Sequence, residues 1–193
     1  MRLVCWNVNG LRTLKGYQPW FQLRNWEACV EELHADMLCI QEVKMTRKQL
    51  TQDLCVMDQF DAYYDLHPSK GYAGTATYIR KSVCVPVAAE VGITGHTGRA
   101  IGPPICELPA SVDAALLKAL DAEGRCVIVD CDLFVLINVY APNETGPQRM
   151  PYKYVRRLTP EWPSMLPSKN ACASYRRRAV RSSVRGAHLC SRR

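Results

Sequence analysis

Arg2-Leu3-Val4-Cys5-Trp6-Asn7-Val8-Asn9-Gly10 is the stretch that decides how this 193-residue chain folds. Alternation puts Val4, Trp6 and Val8 on one side and Leu3, Cys5, Asn7 and Asn9 on the other, the period of a β-strand. The strand is apolar until its C-terminal end, then delivers two amides two residues apart, and Gly10 ends it. Asp36-Met37-Leu38-Cys39-Ile40-Gln41-Glu42 repeats the design, an apolar run that finishes in a carboxylate. In open sheets the chemistry gathers where strands end. An amide from one strand and a carboxylate from another, at one sheet edge, make half of a site for a hard cation.

The rest of the chain is read outward from these two strands. Residues 11–19 form a loop with Arg12 and Lys15. Residues 21–34 read as an amphipathic helix, with Phe21, Trp26, Val30 and Leu33 inward and Glu27, Glu31 and Glu32 in water. That gives a β-loop-α-β unit. Thr46 caps a short helix over 47–54. Strands follow at 60–66, 72–80 and 82–89, with Pro86 marking the last as an edge or bulge. Residues 91–109 read as a long surface loop, and Ser111 caps a helix over 112–120. Residues 126–131 and 133–140 form an antiparallel hairpin about Cys131-Asp132.

With 48% hydrophobic residues the chain can bury a sizeable core, and its length suggests one domain. The net charge of +7 is unevenly placed. Nine arginines and Lys169 against Glu161 leave residues 154–193 at +9, so residues 1–153 carry −2. The basic character therefore belongs to the tail and does not argue that the folded part binds nucleic acid. Residues 154–193 are rich in Pro, Ser and Arg and sustain no period, so they are expected to be disordered. None of the ten cysteines is spaced Cys-x-x-Cys. Cys5, Cys39, Cys84 and Cys126 lie in apolar runs and read as small core residues of a reducing compartment. No apolar run reaches membrane-spanning length, and no secretory signal is expected.

Three residues are candidates for chemistry. Asn7 reads either as an oxygen ligand or as the cap of the turn at Gly10. Glu42, at the end of a buried strand, needs a partner, which is either a divalent cation or the side chain of Lys44 or Arg12. Tyr140 closes Ile137-Asn138-Val139-Tyr140; its hydroxyl can hold a phosphate oxygen, or it is an ordinary strand aromatic. Asn138 could orient its neighbours, and none of the four histidines has a ligand partner at suitable spacing.

Four segments occur in an order and context similar to the endonuclease/exonuclease/phosphatase superfamily. They are Trp6-Asn7-Val8-Asn9-Gly10-Leu11-Arg12, Cys39-Ile40-Gln41-Glu42-Val43-Lys44, Gly71-Tyr72-Ala73-Gly74-Thr75-Ala76-Thr77 and Ile137-Asn138-Val139-Tyr140-Ala141-Pro142-Asn143. Within it the chain resembles the exonuclease III-type apurinic/apyrimidinic (AP) endonucleases. Pro86 to Gly95 and Leu120 to Arg125 resemble the type 2 nuclear branch. The resemblance implies an α/β fold, the first half of a four-layer α/β sandwich, with mixed, mostly antiparallel sheet and flanking helices over 1–153. It implies Mg²⁺- or Mn²⁺-dependent cleavage of the DNA backbone at abasic sites, in DNA repair in the nucleus, with no small-molecule cofactor. By the same resemblance Glu42 is the metal residue, Asn7 shares the metal and phosphate site as a catalytic residue, and Tyr140 contacts the scissile phosphate.

The chain also departs from the family. The family's Gly-Asp-x-Asn strand end and its terminal Asp-His pair are absent, and after Lys153 the pattern stops. The tail from 154 resembles out-of-frame or alternatively spliced translation. A second sheet is therefore expected to be missing, leaving one face of the first bare. Two functions follow: an AP endonuclease-like hydrolase impaired by truncation, or a non-catalytic product that binds nucleic acid through its basic tail. A sibling phosphatase or deadenylase fits less well with Trp6 to Gly10 and the short gap to Glu42.

Overall fold

A computed structural model describes residues 1–94, 99–105 and 114–141, all of them in the compact unit Met1–Asn143. The tail at 154–193, the cap at Ser111 and Asn143 lie outside the described residues. The strands are β1 (Leu3–Asn7), β2 (Met37–Gln41), β3 (Phe60–Asp65), β4 (Thr75–Arg80), β5 (Ala88–Val91), β6 (Ala100–Ile101), β7 (Cys126–Asp130) and β8 (Val135–Val139). They form two four-stranded sheets, ordered β1-β2-β4-β3 and β6-β5-β7-β8. Among the described residues only β1 and β2 run parallel, and every other pair is antiparallel. The helices are α1 (Leu11–Leu14), α2 (Trp26–Glu32), α3 (Gln52–Cys55) and α4 (Ala114–Asp121). The mixed α/β class, mostly antiparallel, is as the sequence predicts.

Two cores result from strand alternation. Leu38, Ile40, Phe60, Ala76 and Tyr78 point to one side of the first sheet and bury against Trp26, Cys29 and Val30 of α2. Met37, Cys39 and Ile79 point to the other side and meet Ala89, Val127, Val129 and Leu136 of the second sheet. A fully buried side chain of this size contributes about 1.5–3 kcal/mol. The expectation of a missing second sheet is thus corrected: residues 88–139 supply one, and it covers most of the first. It stops short of β1, because β8 lies over β2 and β4. Leu3 is left 52% exposed and Cys5 is exposed as well, so Cys5 is not the core residue expected.

The helical readings shorten. Asn25 accepts a bond from the Ala28 N–H at 2.9 Å and starts α2 there, leaving Phe21 in a separate 3₁₀ turn, Trp20–Gln22, and 52% exposed. Residues 47–54 split in two. The Gln49 side chain folds back on the Thr46 N–H at 3.0 Å over a 3₁₀ turn, Leu50 is extended, and Thr51 opens α3. Residues 11–14, read as loop, form α1. The strand read at 82–89 begins only at Ala88, because Val83 and Cys84 turn back to the Arg80 carbonyl.

Candidate active site

The parallel register pairs Asn7 with Gln41, which brings the C-terminal ends of β1 and β2 side by side and sets Glu42 beyond them. Asn7 Nδ2 donates to Glu42 Oε1 at 2.7 Å. Asn7 Oδ1 accepts from the Asn9 N–H at 3.1 Å, so this amide both closes the turn and grips the acid. Lys44 Nζ lies 3.0 Å from Glu42 Oε2, the ion pair that was the other sequence reading of this acid. The same ammonium donates to Asn9 Oδ1. Glu42 is therefore held on both oxygens. Its carboxyl lies below the usual range, first because of the Asn7 hydrogen bond and then because of Lys44.

The backbone places these groups by force. Asn9, Glu42, Lys44 and Ala73 have φ of 49°, 56°, 51° and 52°, the left-handed region that residues with a Cβ avoid. Between Glu42 and Lys44, the Val43 N–H bonds to Gly74 O at 3.0 Å and the Leu11 N–H bonds to Val43 O at 3.1 Å. The Lys44 N–H bonds to Ala73 O at 2.8 Å. The corner is thus locked to the loop before β4 and to the start of α1.

Tyr140 follows β8, and its N–H bonds to Arg125 O at 2.8 Å. Burial and then the neighbouring Glu42 carboxylate raise the pKa of its hydroxyl. The structure so brings Asn7, Glu42 and Tyr140 to one corner. It also brings Arg125 there, a residue to which the sequence reading gave no role. The guanidinium lies 5.0 Å from the Tyr140 ring centre and 5.5 Å from that of Tyr72, and Nη2 donates to the Tyr72 hydroxyl at 3.0 Å. Glu123 pairs with Arg125 Nε. The available signal was the motif Gly124-Arg125 itself. Gly124 has φ +70°, and a Cβ there would sit 2.5 Å from Leu66 C and His67 N. Asn138 does not face the corner. It is 2% exposed and bolts the sheets together, its Nδ2 within reach of Ala76 O at 2.9 Å, Ile40 O at 3.2 Å and Thr77 Oγ1 at 3.2 Å. Its Oδ1 accepts from Gln41 Nε2 at 2.7 Å.

Asp130 and Asp132 lie at the opposite end of the hairpin, because Cys126 pairs with Val139 whereas Asp130 pairs with Val135. Among the described residues no group of three His, Cys, Asp or Glu converges as a metal cluster. Beside Glu123, which is taken up by Arg125, the corner offers the Glu42 carboxylate and neutral amide oxygens.

The Endonuclease/Exonuclease/phosphatase family matches residues 4–184 of the chain. DNA-(apurinic or apyrimidinic site) endonuclease 2 of Schizosaccharomyces pombe is 35% identical over 164 residues, 79% of this chain and 31% of that protein. The Homo sapiens protein of the same name is 32% identical over 178 residues, 79% of this chain and 33% of that protein. Among solved structures, the catalytic domain of Xenopus laevis APE2 superposes with a TM-score of 0.62 at 27% identity, covering 82% of this chain and 50% of that domain. The chain thus spans about a third of these curated relatives.

Proposed function

Because the chain belongs to the endonuclease/exonuclease/phosphatase family, we propose that it is built as a metal-dependent phosphodiester hydrolase acting on abasic DNA in the nucleus, and that it carries one half of that site. The observation that carries this reading is the meeting of Asn7, Glu42 and Tyr140 at one corner, supported by relatives whose names state action at apurinic or apyrimidinic sites. Two oxygens, Glu42 Oε2 and Asn9 Oδ1, already converge on one cationic atom, Lys44 Nζ. Oxygen donors with a single carboxylate fit a hard ion that keeps several waters, Mg²⁺ or Mn²⁺. Glu42 would hold the ion, which supplies polarisation of a phosphoryl oxygen and charge for the leaving oxygen.

The chain's own residues divide the remaining work. Asn7 fixes the Glu42 carboxylate by donating to Oε1, and is itself fixed by the Asn9 N–H. Tyr140 presents a hydroxyl close enough to Glu42 to feel its charge, and that hydroxyl can donate to a phosphate oxygen. Arg125 holds the Tyr140 ring and bonds its carbonyl at 3.4 Å.

The sequence holds neither the Gly-Asp-x-Asn strand end that would position an attacking water nor the Asp-His pair at the phosphate. General acid–base and electrostatic contributions are each worth about 10²–10⁴ in rate. The purified chain should nick an abasic duplex in Mg²⁺ at least about 10⁴-fold more slowly than a full-length relative. Incision within about tenfold of that relative, abolished by Glu42→Ala, would overturn the half-site reading.

A further inference from the structure

Among the described residues Lys44 is the one charged group paired with Glu42, and it lies against the carboxylate oxygen that a metal ion would use. Its Nζ is 3.0 Å from Glu42 Oε2 and is bonded to Asn9 Oδ1. The other carboxylate oxygen is taken by Asn7 Nδ2. A divalent ion that takes Oε2 as a ligand, at about 2.0–2.1 Å for Mg²⁺, competes with the ammonium for the same oxygen and for Asn9 Oδ1. The two cations also repel one another. The placement of Lys44 is imposed by its backbone, with φ 51° and the N–H tied to Ala73 O at 2.8 Å. The side chain itself is 39% exposed, against 19% for Glu42, so the ammonium has an open route into water when it is displaced.

We infer that Lys44 is a built-in counter-ion that occupies the cation position at Glu42 and Asn9, and that a divalent ion binds this chain only by expelling it. This rests on Glu42 being the metal residue. Without an ion, Lys44 neutralises the half-buried carboxylate and keeps it pointed at the site. With an ion, the ammonium swings outward and becomes a free positive charge beside the position of a phosphate. Metal affinity is lowered in exchange for a preformed carboxylate geometry.

The test is Mn²⁺ binding to the whole 193-residue chain, read from the paramagnetic resonance signal of free Mn²⁺ at constant ionic strength. Glu42→Gln should weaken binding by about tenfold or more, whereas Lys44→Met should tighten it about tenfold, because the competitor is gone. Lys44→Arg keeps the charge and should not tighten it. In the wild-type chain with ¹³C-methylated lysines, the Lys44 resonance, identified by its loss in Lys44→Met, should shift on titration with Mg²⁺. If Glu42→Gln weakens binding but Lys44→Met binds no better than wild type, the competition is wrong and the ligand assignment stands. If Glu42→Gln binds Mn²⁺ unchanged, the ligand assignment itself fails and takes the competition with it. A Lys44 resonance that stays still while Mg²⁺ binds also overturns the inference.

Discussion

Two carboxylates in this chain are perturbed in opposite directions, and the cause in each case is visible in what their oxygens touch. Glu42 has a donor on each oxygen, Asn7 Nδ2 and Lys44 Nζ, and its pKa is lowered. A lowered folded pKa gives stability that is present above the unfolded value, about 4.3, and is lost as pH falls through the folded value. The difference in unfolding free energy between wild type and Glu42→Gln should therefore shrink as pH drops below about 4, which urea titrations at several pH values would measure. Asp65 is 1% exposed; Oδ2 accepts the Cys126 N–H at 3.1 Å, and among the described residues Oδ1 has no hydrogen-bond partner. Burial pushes this carboxyl up to about 6. The sign reverses here. The folded state holds its proton more tightly than the unfolded state, so stability is fully present below the unfolded value and falls as pH rises from about 4 to about 6. Asp65→Asn supplies a neutral group of the same shape that can still accept from Cys126. It should gain on wild type across that window, by about 2–3 kcal/mol at pH 7. A gap between the two proteins that does not change with pH would show that Asp65 carries no charge penalty.

The element with the largest single responsibility is β8, through Asn138. Its side chain meets Ile40 O, Ala76 O, Thr77 Oγ1 and Gln41 Nε2, so it crosses from the second sheet to two strands of the first. Replacing it by Ala strands several buried polar groups, each costing about 1–3 kcal/mol when unsatisfied. Asn138→Ala should lower the unfolding free energy by about 3 kcal/mol or more, with an unchanged urea m-value if the fold is otherwise kept. A loss below about 1 kcal/mol would mean that water replaces the amide without penalty. The strands were legible because alternation survives burial: Leu38 and Ile40 go one way and Met37 and Cys39 the other, as their spacing requires. Helix lengths were not legible. The stripe of Phe21, Trp26 and Val30 has helical spacing, but Asn25 interrupts it with a cap that a periodicity argument passes over. Thr51 does the same within 47–54.

At the scale of the whole molecule, the legible part of the site is the part that strand ends announce. Asn7 and Glu42 were readable because each terminates an apolar run, and parallel pairing then sets them together. Arg125 was not, since its place depends on the start of β7 meeting the end of β8 and on Tyr72 arriving from the loop before β4. The second sheet was misjudged because it was looked for beyond Lys153, whereas β5 to β8 between residues 88 and 139 already build one. What these residues lack is a net positive charge, because 1–153 carries −2 while 154–193 carries +9. Phosphate neutralisation releases condensed counterions, and each contact adds about 0.9 to the dependence of log affinity on log salt for duplex DNA. If the tail supplies those contacts, replacing Arg176, Arg177 and Arg178 together by Gln should lower that slope by up to about 2.7 and weaken binding most at low salt. Fluorescence anisotropy with a short duplex at 50–200 mM salt, the range over which such contacts separate clearly, measures both quantities. Abasic and intact duplexes should respond alike, because an electrostatic grip on the backbone carries no information about the base. An unchanged slope in the triple variant would move the contacts to the folded unit, where Arg12, Lys15 and Lys70 lie in or beside the site motifs.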